Sequence, residues 1–175
     1  MRYNGQGPVL IVMAADLTDG KKRYFGLIAG WGGLDHDTKK ERSDMDLNKM
    51  INGMSVRDQL LSYGDYFRST DQRYYEITPP HYYKYADAVI EFLRVLDEAE
   101  FLIPGFDWKA WIIENQLQGV DKHGSFIERA GIEDLRKLMT AYVRQERFCE
   151  GFLADVMKRG WVGKVLERLR AVTAE

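Results

Sequence analysis

The chain has 175 residues, 45% of them hydrophobic, with 25 Lys and Arg against 27 Asp and Glu for a formal charge of −2. This length and composition suit one globular domain with a sizeable core, residues 1–175, and exclude a disordered chain. The balanced charge provides no general cationic field for gripping phosphates and no acidic surface that mimics them.

The single cysteine, Cys149, excludes an internal disulfide and a Cys-rich zinc site. It sits in an apolar helical stretch, where a free Cys is expected to behave as a small buried hydrophobe. The run Pro8–Ala15 is too short to span a membrane and lacks the cationic region and cleavage site of a signal peptide. A cytoplasmic protein is expected.

In chain order, Val9–Met13 and Tyr24–Ile28 read as the strands of an antiparallel β-hairpin, turned at Asp19-Gly20. The first run is continuously apolar, so both its faces are expected to be covered. Residues 30–54 read as an excursion. Gly30 to Gly33 breaks regular structure, and Asp35 to Lys49 is a polar surface loop. Ser55, with Asp58 three residues on, is the expected N-cap of a helix reaching about residue 68. Tyr74–Thr78 is β-prone, a third strand beside the hairpin, and Pro79-Pro80 stops it.

Helices dominate the rest. Tyr85, Val89, Phe92, Leu93 and Leu96 mark an amphipathic helix over about 82–99. Asp107 is the N-cap of a short helix carrying Trp108, Trp111 and Ile112, and Gly119 to Gly124 reads as a polar loop. Ile132, Leu135, Leu138, Met139, Tyr142 and Val143 form one helical face, and Phe148, Cys149, Phe152, Leu153, Val156 and Met157 continue it. Gly160 marks a stop before a last helix on Trp161, Val162, Val165, Leu166 and Leu169. The fold class is α+β, an N-terminal antiparallel hairpin or small sheet joined to a predominantly helical C-terminal module. Residues 1–73 hold the hairpin, loop and one helix, and residues 74–175 hold the module.

No catalytic residue, cofactor or metal site emerges. The histidines, His36, His81 and His123, are not spaced as helical ligand pairs, and Asp35-His36-Asp37 is an isolated loop triplet. Ala29-Gly-Trp-Gly-Gly33 lacks the Gly-Lys-Ser/Thr ending of a phosphate loop. The densest polar cluster is Arg144-Gln-Glu-Arg147 with Glu150. On a helix these residues either converge on an anionic ligand through Arg forks or form an intrahelical salt-bridge array. Phe106, Trp108, Trp111 and Trp161 line either a partner surface or the core, and the tyrosines of 74–85 suit a strand-to-helix corner.

Four stretches carry a family resemblance: Tyr83 to Leu96, Phe106-Asp-Trp-Lys-Ala-Trp111, Leu135 to Leu153, and Val165-Leu-Glu-Arg-Leu169. Together, over about 74–172, they resemble a bacterial family of uncharacterised proteins, domain of unknown function 6508. The string Arg-Gln-Glu-Arg-Phe-Cys-Glu-Gly at 144–151 is its most specific part. The resemblance implies no activity. It does imply that residues 106–111 and 144–151 belong to one module and meet in space.

The expectation is therefore a non-enzymatic protein-interaction or regulatory protein, of the kind that includes phage and mobile-element inhibitors, acting on a protein partner. Its candidate contacts are Arg144, Glu146, Arg147, Glu150, Trp108 and Trp111. The alternative is a small ligand binder or enzyme using Arg144, Glu146, Arg147 and Glu150. A further alternative is a nucleic-acid accessory protein, since residues 133–170 hold nine basic and six acidic side chains.

Overall fold

The computed structural model describes residues 12–15, 23–26, 45–51, 53–69, 72–79 and 82–174. They belong to two compact units, Met1–Ser43 and Asp44–Glu175. In the first unit, β1 (Val12–Ala15) pairs antiparallel with β2 (Arg23–Gly26), in the register Val12 to Gly26 through Ala15 to Arg23. The Asp19-Gly20 turn, Gly30 to Gly33, Asp35-His36-Asp37 and Pro80 lie outside the described residues, as do the side chains of β1.

The second unit is α+β and mainly helical. It opens with a minimal ladder of β3 (Met50–Ile51) and β4 (Met54–Ser55). Ser55 then caps α1 (Val56–Ser62): its hydroxyl accepts from the Asp58 amide at 3.1 Å and donates to the Asp58 carboxylate at 2.7 Å. That bond holds the Asp58 carboxyl below its ordinary range. The expected continuous helix is broken at Tyr63, and α2 (Gly64–Arg68) follows.

A larger correction falls on residues 82–99. Among the described residues, strand β5 (Tyr75–Thr78) pairs with β6 (Tyr82–Tyr85), so Tyr85 ends a strand where a helix was expected. Aromatic side chains pack well on a pleated surface, and Tyr75 meets Tyr83 with ring centroids 5.1 Å apart. Ala86 is extended, and α3 (Asp87–Glu98) begins after it, burying Val89, Phe92, Val95 and Leu96.

Next come α4 (Trp108–Glu114), capped by Asp107, and a 3-10 turn (Val120–Lys122). The residues read as a polar loop at 119–124 run into α5 (His123–Arg129), which buries His123, Phe126 and Ile127. Then follow α6 (Ile132–Glu146), α7 (Phe152–Lys158) and α8 (Trp161–Val172). Helix α8 is central: α1, α2, α5, α6 and α7 all pack on it, around the buried Val162, Val165, Leu166 and Leu169. Gly163 permits the closest of these approaches, since a Cβ there would sit 2.8 Å from the Phe67 carbonyl oxygen. Among the described residues no helix is long and apolar enough to cross a membrane.

Candidate functional site

Helix α6 organises the site through two kinds of side chain. Arg136, Thr140 and Arg144 recur every fourth residue and so share one face. All three grip the backbone of residues 100–106. Arg136 donates to the Glu100 and Phe101 carbonyls. Thr140 Oγ1 accepts from the Ile103 amide at 3.0 Å while donating to its own helix at Arg136. Arg144 donates to Ile103 O at 2.7 Å and to Phe106 O. Its guanidinium is partly buried, which disfavours its charge, as does nearby Arg147. The carbonyls of a proline-containing loop that forms no ladder are satisfied in this way.

At the end of α6, Glu146 turns to a different face. Its carboxylate accepts from the Tyr85 hydroxyl at 2.7 Å, the Gly151 amide at 3.0 Å and the Leu153 amide at 2.7 Å. Two of these are otherwise orphaned donors at the start of α7, where negative charge is favoured. Burial and then the Glu146 bond push the Tyr85 hydroxyl well above its usual titration range.

Between the helices, residues 147–151 form a turn. Gly151 has φ of 85°, a left-handed conformation that glycine adopts without penalty. A Cβ there would lie 2.5 Å from Cζ of Tyr83. Glu150 reaches the same strand and accepts from the Tyr83 amide at 3.2 Å.

This turn carries Phe148, which is 71% exposed. It was expected on the buried face along with Cys149, which is also exposed. Both expectations are corrected: helix α6 ends at Glu146, so the apolar periodicity through 148–149 crosses a turn and no longer reports a single face. Phe148 instead meets Trp108 at 6.2 Å between centroids, and the Lys109 ammonium lies 4.5 Å from the Phe148 centroid. Ile113, also exposed, stands on the same short helix α4.

The candidate residues therefore separate. Trp111 is core, set edge-on to Phe106 at 5.9 Å and to Phe126 at 5.4 Å. Trp108 is half-buried at the surface. Arg144, Glu146 and Glu150 are each bonded to backbone of a different segment, and Arg147 is exposed. Residues 106–111 and 144–151 do meet, through Arg144 on Phe106 and Phe148 on Trp108.

Beside this rim runs an open groove of 300 Å³, lined by Trp108, Lys109, Ile112, Ile113, Leu117, Gln118, His123, Gln145 and Phe152. His123 had no role in the sequence reading. It is buried, with Nε2 3.0 Å from the Leu117 carbonyl and Nδ1 2.8 Å from the Tyr142 hydroxyl. The carbonyl can only accept, so Nε2 carries the proton and Nδ1 accepts from Tyr142. Burial lowers the His123 pKa below 6.5. Among the described residues no three His, Cys, Asp or Glu side chains gather as a metal site requires.

Fold and site together define a small α+β protein whose helical unit presents an aromatic rim on a hydrogen-bonded turn. Residues 55–175 match the family model described as "Family of unknown function (DUF6508)", and the chain belongs to this family. The match begins upstream of residue 74 and takes in α1 and α2. Comparison with the curated proteins and with the solved structures gives no match.

Proposed function

We propose that this chain is a non-enzymatic interaction protein with a regulatory role, and that it contacts a protein partner through the rim of Trp108, Lys109, Ile113 and Phe148. The observation that carries this reading is the state of Phe148: a large aromatic ring, 71% exposed, on a turn whose flanking carboxylates, Glu146 and Glu150, are hydrogen-bonded to backbone amides. A rigid aromatic loses little entropy when it becomes buried, and interface hot spots are built from such anchors. The neighbouring groove suits an apolar side chain of the partner, and Lys109 suits a carboxylate beside it. The Arg144 and Glu146 side chains favour this reading over the ligand-binding alternative, because their hydrogen bonds go to the protein's own backbone.

The cytoplasm is the compartment that fits. Cys149 is exposed and is the only cysteine, and an oxidising compartment would leave it open to intermolecular pairing.

The test places a photo-crosslinking phenylalanine analogue at position 148 and, separately, at 113, in cells of the source organism. A discrete crosslinked protein at both positions, lost from pull-downs when Phe148→Ser or Trp108→Ala is introduced, is the expected result. Absence of any crosslink at either position, with both variants as functional in the host as the parent, overturns the proposal.

A further inference from the structure

The β5–β6 hairpin has two outer edges, and they differ. The Ala86 amide donates to the Tyr74 carbonyl at 2.9 Å, which makes that cross-strand pair a hydrogen-bonded one. Pairs in an antiparallel ladder alternate. Glu76 with Lys84 and Thr78 with Tyr82 are therefore the bonded pairs, and the backbone groups of Tyr75, Ile77, Tyr83 and Tyr85 point outward. On the β6 side that edge is engaged at one position, where the Tyr83 amide donates to Glu150. On the β5 side it is open. Among the described residues, the N–H and C=O of Tyr75 and Ile77 have no partner and no further strand joins this ladder. Open edges of this kind are templates for another strand.

An open groove of 660 Å³ runs along the same edge. One wall is the run Gln72 to Ile77, the other is the end of α7 at Met157 and Lys158 with Gly160 beyond it, the end of α2 from Phe67 to Ser69 completes it, and no residue of β6 lines it. Its volume falls within the range of ligand clefts. Its charge is cationic. Among the described residues, Arg68, Arg73 and Lys158 line it against a single carboxylate, Glu76. Arg68 is ion-paired to Asp65 and Glu167, whereas Arg73 and Lys158 have no ion pair among the described residues. Ile77, 56% exposed, adds an apolar contact on the rail itself.

From these features we infer that the β5 edge captures an extended acidic peptide segment of a partner protein by strand addition, with Arg73 and Lys158 selecting its carboxylates. Alternating donors and acceptors at Tyr75 and Ile77 match another peptide backbone. A DNA backbone supplies acceptors for the two amides but not the repeating donors the two carbonyls need. The inference does not rest on the Phe148 rim, which belongs to a different surface.

The experiment titrates the isotopically labelled full chain with short blocked peptides of alternating valine and glutamate. The expected result is a shift and exchange protection of the Tyr75 and Ile77 amides, saturable and weakened by salt. Binding is expected to fall roughly tenfold or more in Arg73→Glu and Lys158→Glu. It is expected to fall as far when the central peptide nitrogens are methylated, which removes the strand donors. Phe148→Ser is expected to leave it unchanged, which separates this test from that of the rim. The inference is overturned if the two amides do not move, or if a valine–lysine peptide or the methylated peptide binds as tightly. Tighter binding of an oligothymidylate, or a peptide-independent dimer through β5, also overturns it.

Discussion

The string at 144–151 contains two regions of opposite character. Its charged half, Arg144 to Glu146, reads from sequence as either a binding cluster or a structural network, and its hydrogen bonds go to the protein's own backbone: the arginine holds a loop and the glutamate starts a helix. The next residues, Phe148 and Cys149, look like core and lie in solvent. Polarity alone therefore leaves the first undecided and misplaces the second. A charged side chain is retained inside when backbone groups with no other partner need it. An apolar one is left outside when a turn interrupts the helix that would have buried it.

The sharpest way to break this contrast is to remove the Glu146 carboxylate. Glu146→Ala leaves the Tyr85 hydroxyl and two amides of the α7 start without their acceptor, so urea denaturation is expected to show a loss of about 3 kcal/mol. Glu146→Gln keeps one acceptor oxygen and is expected to restore roughly half of that. A loss below about 1 kcal/mol would mean that water satisfies these groups equally well.

The next effect belongs to the turn. Gly151→Ala is expected to cost about 2 kcal/mol, combining the left-handed backbone with the collision against Tyr83. The same alanine in a Tyr83→Ala background is expected to cost about 1 kcal/mol, since only the backbone penalty remains. Equal costs in both backgrounds would show that the ring simply moves aside.

A smaller effect appears with pH. The folded pKa of His123 is lowered from 6.5 by burial, so the unfolded chain binds this proton more readily. The contribution to stability is complete above pH 6.5 and is lost as pH falls through the folded value. The slope in that window is at most about 1.4 kcal/mol per pH unit. His123→Gln retains a donor for Leu117 and an acceptor for Tyr142 but cannot titrate, so its stability is expected to be flat there. Parallel slopes for parent and variant would assign the loss to other groups.

The smallest expected effect lies on the exposed half of the string. Phe148→Ser is expected to change stability by no more than about 0.5 kcal/mol in either direction, because the ring is mostly in water already. A larger loss would return Phe148 to the core and remove the contrast.

Much of the helical unit was legible in the sequence, because amphipathic spacing and caps are local signals. Ser55 and Asp107 both cap helices where the residues placed them. Helix α5 was not legible: only Phe126 and Ile127 mark it as apolar, and its third large buried side chain is His123, whose polar atoms are satisfied by Leu117 and Tyr142, residues six and nineteen positions away. The β6 strand was lost to a helical pattern because Tyr85 falls in phase with α3. The roles of Arg136, Thr140 and Arg144 had a readable signal in their four-residue spacing. Their partners, carbonyls of residues 100–106, have no signature in side-chain chemistry.

The contact between Gly151 and Tyr83 has a consequence for variation within the family. The two positions are 68 residues apart in sequence, yet the absence of a side chain at one is what makes room for a ring at the other. Members that keep a bulky aromatic at the position of Tyr83 should keep glycine at that of Gly151, and members that gain a side chain at the second should lose the ring at the first. The hairpin and the turn would then change as one inherited unit, even where the surfaces on either side of them diverge.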